Sequence, residues 1–387
     1  MMLALLFASR MLGLFLLTPV FAVAAASVPG GNDALRVGLA LGAYGLTQAC
    51  LQIPLGMASD RFGRRPVIVA GMVLFVVGGI VCAQAESING IILGRSLQGL
   101  GAISAAITAW VADATRPEVR TRAMAMVGGS IALSFAASLV ISPVVVGWFG
   151  LSGLFWAISL LGFICLLLAA FVVPVVPRIH EALSGARPGD VLRHPGLLRL
   201  NFGVFCLHAI LMALFIVIPG LLAQQGGYMT SSLWQVYLPV ILGSFILMVP
   251  AVFYIETRRV HQRGLLAAVA GLLCVMIAFQ WATHSLVASI TLLVLFFVVF
   301  NILEALQPSL VSREAPANYK GLALGFYNTA QSLGVFAGGA LGGLLSVRVG
   351  AHAVFTLAAV LAALWLVTAR SFRASFVTVP PVSRTGS

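Results

Sequence analysis

Charge is what this sequence has least of. Charged residues make up 8% of its 387 positions and only ten are acidic, so a water-soluble globule would lack the polar surface to cover itself. Cysteine is sparse too. Cys50, Cys82, Cys165, Cys206 and Cys274 all lie in apolar runs and form no CxxC pair and no metal-ligand spacing, which argues against a metal site and leaves them as small interior residues. No ATP-binding loop of the GxxxxGK[ST] kind is present, so a nucleotide-driven pump is not expected unless a partner subunit supplies the motor. Nucleophile–base pairs, metal clusters and large soluble loops are also missing. No catalytic residue, metal or cofactor is therefore assigned, and the chain does not read as an enzyme.

Apolar residues fill the gap: 61% of the chain is hydrophobic, and its solvent must be a bilayer, whose core takes about 20 apolar residues per helical crossing. A membrane β-barrel would alternate apolar and polar residues, whereas these runs are unbroken. Bounded by charges, Gly, Pro and Asn, they predict twelve helices at roughly 2–28, 34–58, 66–85, 89–113, 122–147, 152–173, 200–222, 232–254, 264–282, 286–311, 321–346 and 351–370. Ala24-Ala25-Ala26 resembles a signal-peptide cleavage site, but no basic stretch precedes it and Arg10 interrupts the apolar run, so residues 2–28 read as the first membrane helix.

The net charge of +12 raises nucleic-acid binding, which the placement of the basic residues excludes. Eighteen of the 22 fall in loops and a tail that would share one side, among them Arg61, Arg64, Arg65, Arg193, Arg258 and Arg373. The opposite loops hold only Arg36 and Arg348, and Arg10 and Arg95 lie within apolar runs. This asymmetry predicts a multi-pass protein with both termini in the cytoplasm. The longest connection, polar and Pro-containing, falls mid-chain. It divides the chain into an N-terminal six-helix bundle (1–173), a cytoplasmic linker (174–199), a C-terminal bundle (200–370) and a tail (371–387). A weak repeat agrees: Pro54 followed by Asp60 recurs as Pro250 followed by Glu256, and Pro117 before Arg122 recurs as Pro316 before Lys320. Two repeated halves with the substrate site between them are a construction that transporters use.

Gly56-Met57-Ala58-Ser59-Asp60-Arg61-Phe62-Gly63-Arg64-Arg65, between predicted helices 2 and 3, resembles the GxxxDRxGRR signature of the major facilitator superfamily. Arg95-Ser96-Leu97-Gln98-Gly99 in helix 4 resembles its second signature, RxxQG. Tyr44-Gly45-Leu46-Thr47-Gln48, Gln52-Ile53-Pro54 and Ile91-Ile92-Leu93-Gly94-Arg95 look like the YajR branch of drug exporters in that superfamily. The resemblance spans residues 10–370. It implies an all-α membrane fold of two six-helix bundles related by pseudo-two-fold symmetry, a bacterial inner-membrane location, and a cavity lined by helices 1, 4, 7 and 10. There are two departures. That branch carries an extra folded domain after helix 12 where this chain has a short tail, so regulation by such a domain is not expected to transfer. The glycine-rich helix-5 signature of antiporters is replaced by Ser142-Pro143-Val144-Val145-Val146-Gly147, which weakens the mark of antiport.

Ionisable residues well inside the predicted helices are few: Arg10, Arg95, His208 and Glu304, on helices 1, 4, 7 and 10. Intramembrane charges are costly and usually mark pathways. Arg95 can serve substrate or proton, or be a hydrogen-bond hub to backbone carbonyls. His208 can relay a proton or be a satisfied core histidine, and Arg10 can instead snorkel to the interface. Glu304 is the one acid of ten expected inside the membrane, about 10 Å from the inner end of its helix at ~1.5 Å per residue. It is the candidate for the coupling proton, with Arg10 or His208 as neighbours; its alternative is a structural acid bonded to helix 7.

Uncharged polar stripes at helical spacing suggest a mostly apolar cavity with scattered hydrogen-bonding groups. They comprise Tyr44, Gln48 and Gln52 on helix 2, Asn301 with Glu304 on helix 10, and Tyr327, Asn328 and Gln331 on helix 11, with Gln98 from the second signature. In the signature loop, Asp60 is expected near the N-terminus of helix 11 around Gly321, and Arg64 is expected to pair with Asp113. Together with Gly56, Arg61, Gly63 and Arg65 they would latch the two halves on the cytoplasmic side; alternatively the arginines only anchor topology. The small-residue stripes, Ser130, Ser134, Ser138 and Ser142 on helix 5 and Gly334, Gly338 and Gly342 on helix 11, fit close helix packing. The function expected is proton-coupled efflux of small amphipathic organic compounds by a monomer. The alternatives are a proton symporter or facilitator importing a nutrient and, less favoured, a membrane-embedded enzyme or scaffold.

Overall fold

In the computed structural model, residues 2–101, 103–113, 117–172, 188–282, 284–316 and 320–371 are described. The chain forms twelve principal helices. In the first half they are α1 (Met2–Phe15, resuming at Phe21–Ala24), α2 (Ala34–Phe62), α3 (Arg64–Ala83), α4 (Ile88–Leu100, resuming at Ser104–Asp113), α5 (117–149) and α6 (151–172). In the second half they are α7 (Pro195–Gly226), α8 (Trp234–Thr257), α9 (His261–Ala282), α10 (Leu286–Glu314), α11 (Lys320–Arg348) and α12 (Ala351–Arg370). A short helix, Pro188–Leu192, precedes α7. Hence part of the predicted linker is helical, and α7 begins at Pro195 rather than 200.

Nine segments among the described residues are long and apolar enough to cross a membrane. One of these, Leu133–Val172, contains both α5 and α6, which turn on each other at Gly150, whose φ of 67° is one that glycine accepts without strain. The two helices missing from the nine, α1 and α4, are each interrupted, which corrects the expectation of continuous helices over 2–28 and 89–113. Pro19 lacks an N–H and its ring disfavours a continuing helix. Two side chains meet the carbonyls released there: Ser142 of α5 donates to that of Leu16, and the Tyr237 hydroxyl of α8 donates to that of Pro19 at 3.2 Å. Such repair is needed because lipid offers no alternative partner. The α4 break falls where Gly101 packs directly on the Gly71 carbonyl of α3.

Glycines set how the halves meet. Gly334, Gly338 and Gly342, one turn apart on α11, lie against the α7 backbone at Phe205, Ala209 and Ala213. Gly339 and Gly343 on another face of α11 meet Gly38 and Ala34 of α2. A Cβ at Gly42 would stand 2.9 Å from the Phe336 carbonyl oxygen. With no side chain between them, the backbones approach closely and gain dispersion contact. These inter-half contacts lie toward the face carrying Arg36 and Arg348, where Gly147 of α5 also meets Ser231. At mid-depth, Phe135 of α5 packs on Phe215 of α7 and on Phe297 and Phe300 of α10. Toward the opposite, arginine-rich face, a Cβ at Gly321 or Gly325 would have no atom of the described residues within 4 Å. Among the described residues, the close glycine contacts between the halves lie toward the arginine-poor face.

Candidate functional site

In the second half, α7, α10 and α11 bring four predicted residues together. The packing of Gly334 and Gly338 on α7 sets Gln331, one turn away, against His208. The Nδ1 of His208 lies 3.1 Å from the Val204 carbonyl, and its Nε2 lies 2.7 Å from Gln331 Nε2. Both ring nitrogens are thus engaged, Nδ1 by a carbonyl of its own helix and Nε2 by a side chain of α11. Glu304 reaches the same nitrogen from α10, its Oε2 at 3.7 Å; His208 is 8% exposed at the side chain and Glu304 26%. Phe300, one turn from Glu304, meets the His208 ring edge-on at 5.9 Å. Two polar atoms here have no hydrogen-bond partner among the described residues: Glu304 Oε2 and the buried Tyr327 hydroxyl. Asn301 donates to Ser244 on α8 at 3.4 Å.

The first half gathers the cations. Arg10, 0% exposed, donates to Ser104 Oγ at 2.6 Å and to the Tyr44 hydroxyl at 2.9 Å. It therefore does not snorkel: it is buried, and its partners Ser104 and Tyr44 are interior. Arg95, 3% exposed, donates to Gln98 Oε1 at 2.9 Å and stacks over the Tyr44 ring at 4.9 Å. Its partners are side chains, not the backbone carbonyls that a structural hub would use. Gln48 and Gln52 continue the α2 stripe inward and are buried, with neither amide atom of Gln52 partnered. Neither arginine stands beside Glu304, whose ionisable neighbour among the described residues is His208.

The signature loop turns on Gly63, with φ 102°, a value that favours glycine. Arg64 donates to Ser59 Oγ at 2.7 Å, and Ser59 in turn to the Gly56 carbonyl at 2.7 Å. Arg65 donates to the Ala169 carbonyl at 3.1 Å, fastening α3 to the end of α6, and Arg61 lies over the Phe62 ring. The side chains of Asp60 and Asp113 lie outside the described residues. At the repeat-related position in the second half, Glu256 contacts Arg313 Nη2 at 3.2 Å and His261 Nε2 at 3.1 Å. The repeat pointed to Glu256; its partners had no sequence signal. Sequence reasoning also missed Gln307, one turn beyond Glu304, fully buried with both amide atoms unpartnered. Its spacing from Glu304 was the available clue.

The model of the Major Facilitator Superfamily matches residues 3–339. The inner membrane transport protein YajR of Escherichia coli K12 is 43% identical over 95% of this chain and 81% of its own length. The multidrug resistance protein MdtH of Aeromonas salmonicida is 28% identical, over 86% of this chain and 84% of its own. Among solved structures, a bacterial homolog of the human lysosomal transporter Spinster, inward-facing and occupied, superposes with a TM-score of 0.72 at 15% identity, covering 96% of each chain. A chain with this fold, this match and these relatives is a multi-pass transporter and not an enzyme, and it belongs to the Major Facilitator Superfamily.

Proposed function

We propose that this chain is a proton-coupled exporter of small organic compounds, working by alternating access between its two halves, with Glu304 carrying the coupling proton. The observation that carries the reading is the meeting of Glu304 with His208 between α10 and α7, in a chain whose other nine acids fall at or beyond the helix ends. Moving a bare carboxylate through a closed site is expensive. The carboxyl therefore crosses with a proton and gives it up where water reaches it. His208 stands ready as the neighbouring base, and Gln331 and Tyr327 supply hydrogen bonds to whichever state is present. The positive-inside rule assigns the arginine-rich face to the cytoplasm; on that reading this conformation is inward-open, and both termini lie on the cytoplasmic side of the bacterial inner membrane. The latch of Asp60 on α11 and Arg64 on Asp113 would then close the inner face in the alternate state. Export is favoured by the relationship to multidrug resistance protein MdtH; the altered helix-5 motif does not support it. Everted membrane vesicles test direction and drive together. Uptake into them that follows an imposed pH gradient and collapses with nigericin fits export, whereas solute loss, or transport indifferent to nigericin, contradicts it.

A further inference from the structure

The first half contains two buried positive charges with no acidic partner among the described residues. Arg10 and Arg95 are buried on either side of one residue, Tyr44: the first bonds its hydroxyl at 2.9 Å and the second covers its ring at 4.9 Å. No carboxylate is paired with either among the described residues, and Glu304, the one acid well away from a helix end, lies beside His208 in the other half. Burial removes the water that would otherwise solvate and screen each charge. Charges held inside a membrane usually mark the path of a substrate or an ion. The donors left over also point to a ligand. Among the described residues Arg10 Nε, Arg95 Nε, Gln98 Nε2 and Gln52 Nε2, two turns from Tyr44 on α2, are buried donors without acceptors, and Gln52 Oε1 is a buried acceptor without a donor. The Tyr44 hydroxyl accepts from Arg10 and has its own hydrogen to give. Since Arg95 spends Nη1 on Gln98, its Nε edge is the side open to the paired oxygens of a carboxylate.

We infer that Arg10, Arg95 and Tyr44 form the binding site for the anionic group of the transported compound, which makes the substrate an organic anion with a carboxylate. This rests on the reading of the chain as an alternating-access transporter, because both guanidiniums are buried in the conformation seen and a ligand reaches them only in another. The two halves then divide the work: the first holds the anion, the second the proton.

The test uses the full-length purified protein and thermal unfolding with butyrate, hexanoate, octanoate and benzoate, each against its primary amide. The carboxylates, and not the amides, should raise the melting temperature. Arg95→Gln and Tyr44→Phe should each weaken the apparent affinity at least tenfold. Ser104→Asp, which sets an internal carboxylate beside Arg10, should do the same while raising the melting temperature of the ligand-free protein, so the outcome does not hang on a variant that fails to fold. No shift with any carboxylate, equal shifts with the amides, or unchanged carboxylate affinity in the variants would overturn the inference. Amide-like binding together with nigericin-sensitive transport would sink this inference alone, whereas carboxylate binding with transport indifferent to the pH gradient would count against the proton coupling alone.

Discussion

Replacing Gly38 with valine separates the stability of each half from the balance between conformations. A Cβ there would fall onto the Gly339 carbonyl oxygen, with the Gly339 carbonyl carbon at 2.9 Å and the Gly343 Cα at 3.2 Å. Ordinary contact begins at 3.4 Å, and all three atoms belong to backbone that cannot rotate away. The α2 and α11 backbones must therefore part by about 1 Å or more, and valine adds two further methyl groups. Overpacking of this kind costs about 1–3 kcal/mol. Gly38 faces the other half and not its own, so the cost falls on the state in which the arginine-poor face is closed. At ~1.4 kcal/mol per tenfold change, the closed-to-open ratio should drop roughly 5- to 150-fold. Spin labels at positions 36 and 348, both exposed arginines on that face, would report it. The exposed Cys50 and Cys274 would first be changed to serine. The expected result is a new long-distance population in Gly38→Val with an unchanged melting temperature. The same short distances, with a lower melting temperature, would refute the reasoning. Gly338→Val is the contrasting control, because Gly338 abuts the Ala209 backbone of α7 in its own half; it should lower the melting temperature and leave the distances alone.

Reporter fusions after Arg65, Arg193 and Arg373 should all read as cytoplasmic, and a periplasmic signal at any one would overturn the helix count. Asp60→Asn and Arg64→Ala should shift label distances between the arginine-rich ends of α4 and α10 toward the open state; unchanged distributions in both would reduce the loop to a topology anchor. Tyr237→Phe strands the Pro19 carbonyl and should destabilise the protein by ~1–2 kcal/mol, seen as a lower melting temperature in detergent. A neutral outcome would mean that the α1 break needs no partner from α8.

How much of this could be read from the sequence follows from what lipid demands. A helix that must satisfy its own backbone and face hydrocarbon leaves an apolar run of the right length, so helix number and most ends were legible, and α12 was placed at 351–370 as found. The breaks in α1 and α4 were not, because they depend on partners remote in sequence: the Tyr237 hydroxyl for Pro19 and the Gly71 backbone for Gly101. Scarcity of charge singled out Arg10, Arg95, His208 and Glu304 one by one. The division of the two arginines into the first half and of His208 and Glu304 into the second was already given by their positions. What the sequence could not show is that both arginines meet at Tyr44 and that Gln331 joins Glu304 at His208. The second meeting depends on the packing of α11 glycines on the α7 backbone.

The central claim is that one carboxyl links proton movement to the rocking of the halves. Proteoliposomes containing wild-type protein or Glu304→Gln, loaded with octanoate as the probe, give the most direct measurement. In the wild type, an imposed pH gradient should drive transport. In Glu304→Gln, that gradient-driven transport should vanish while exchange of labelled for unlabelled octanoate at equal pH continues. Full retention of the gradient dependence in Glu304→Gln would contradict the account.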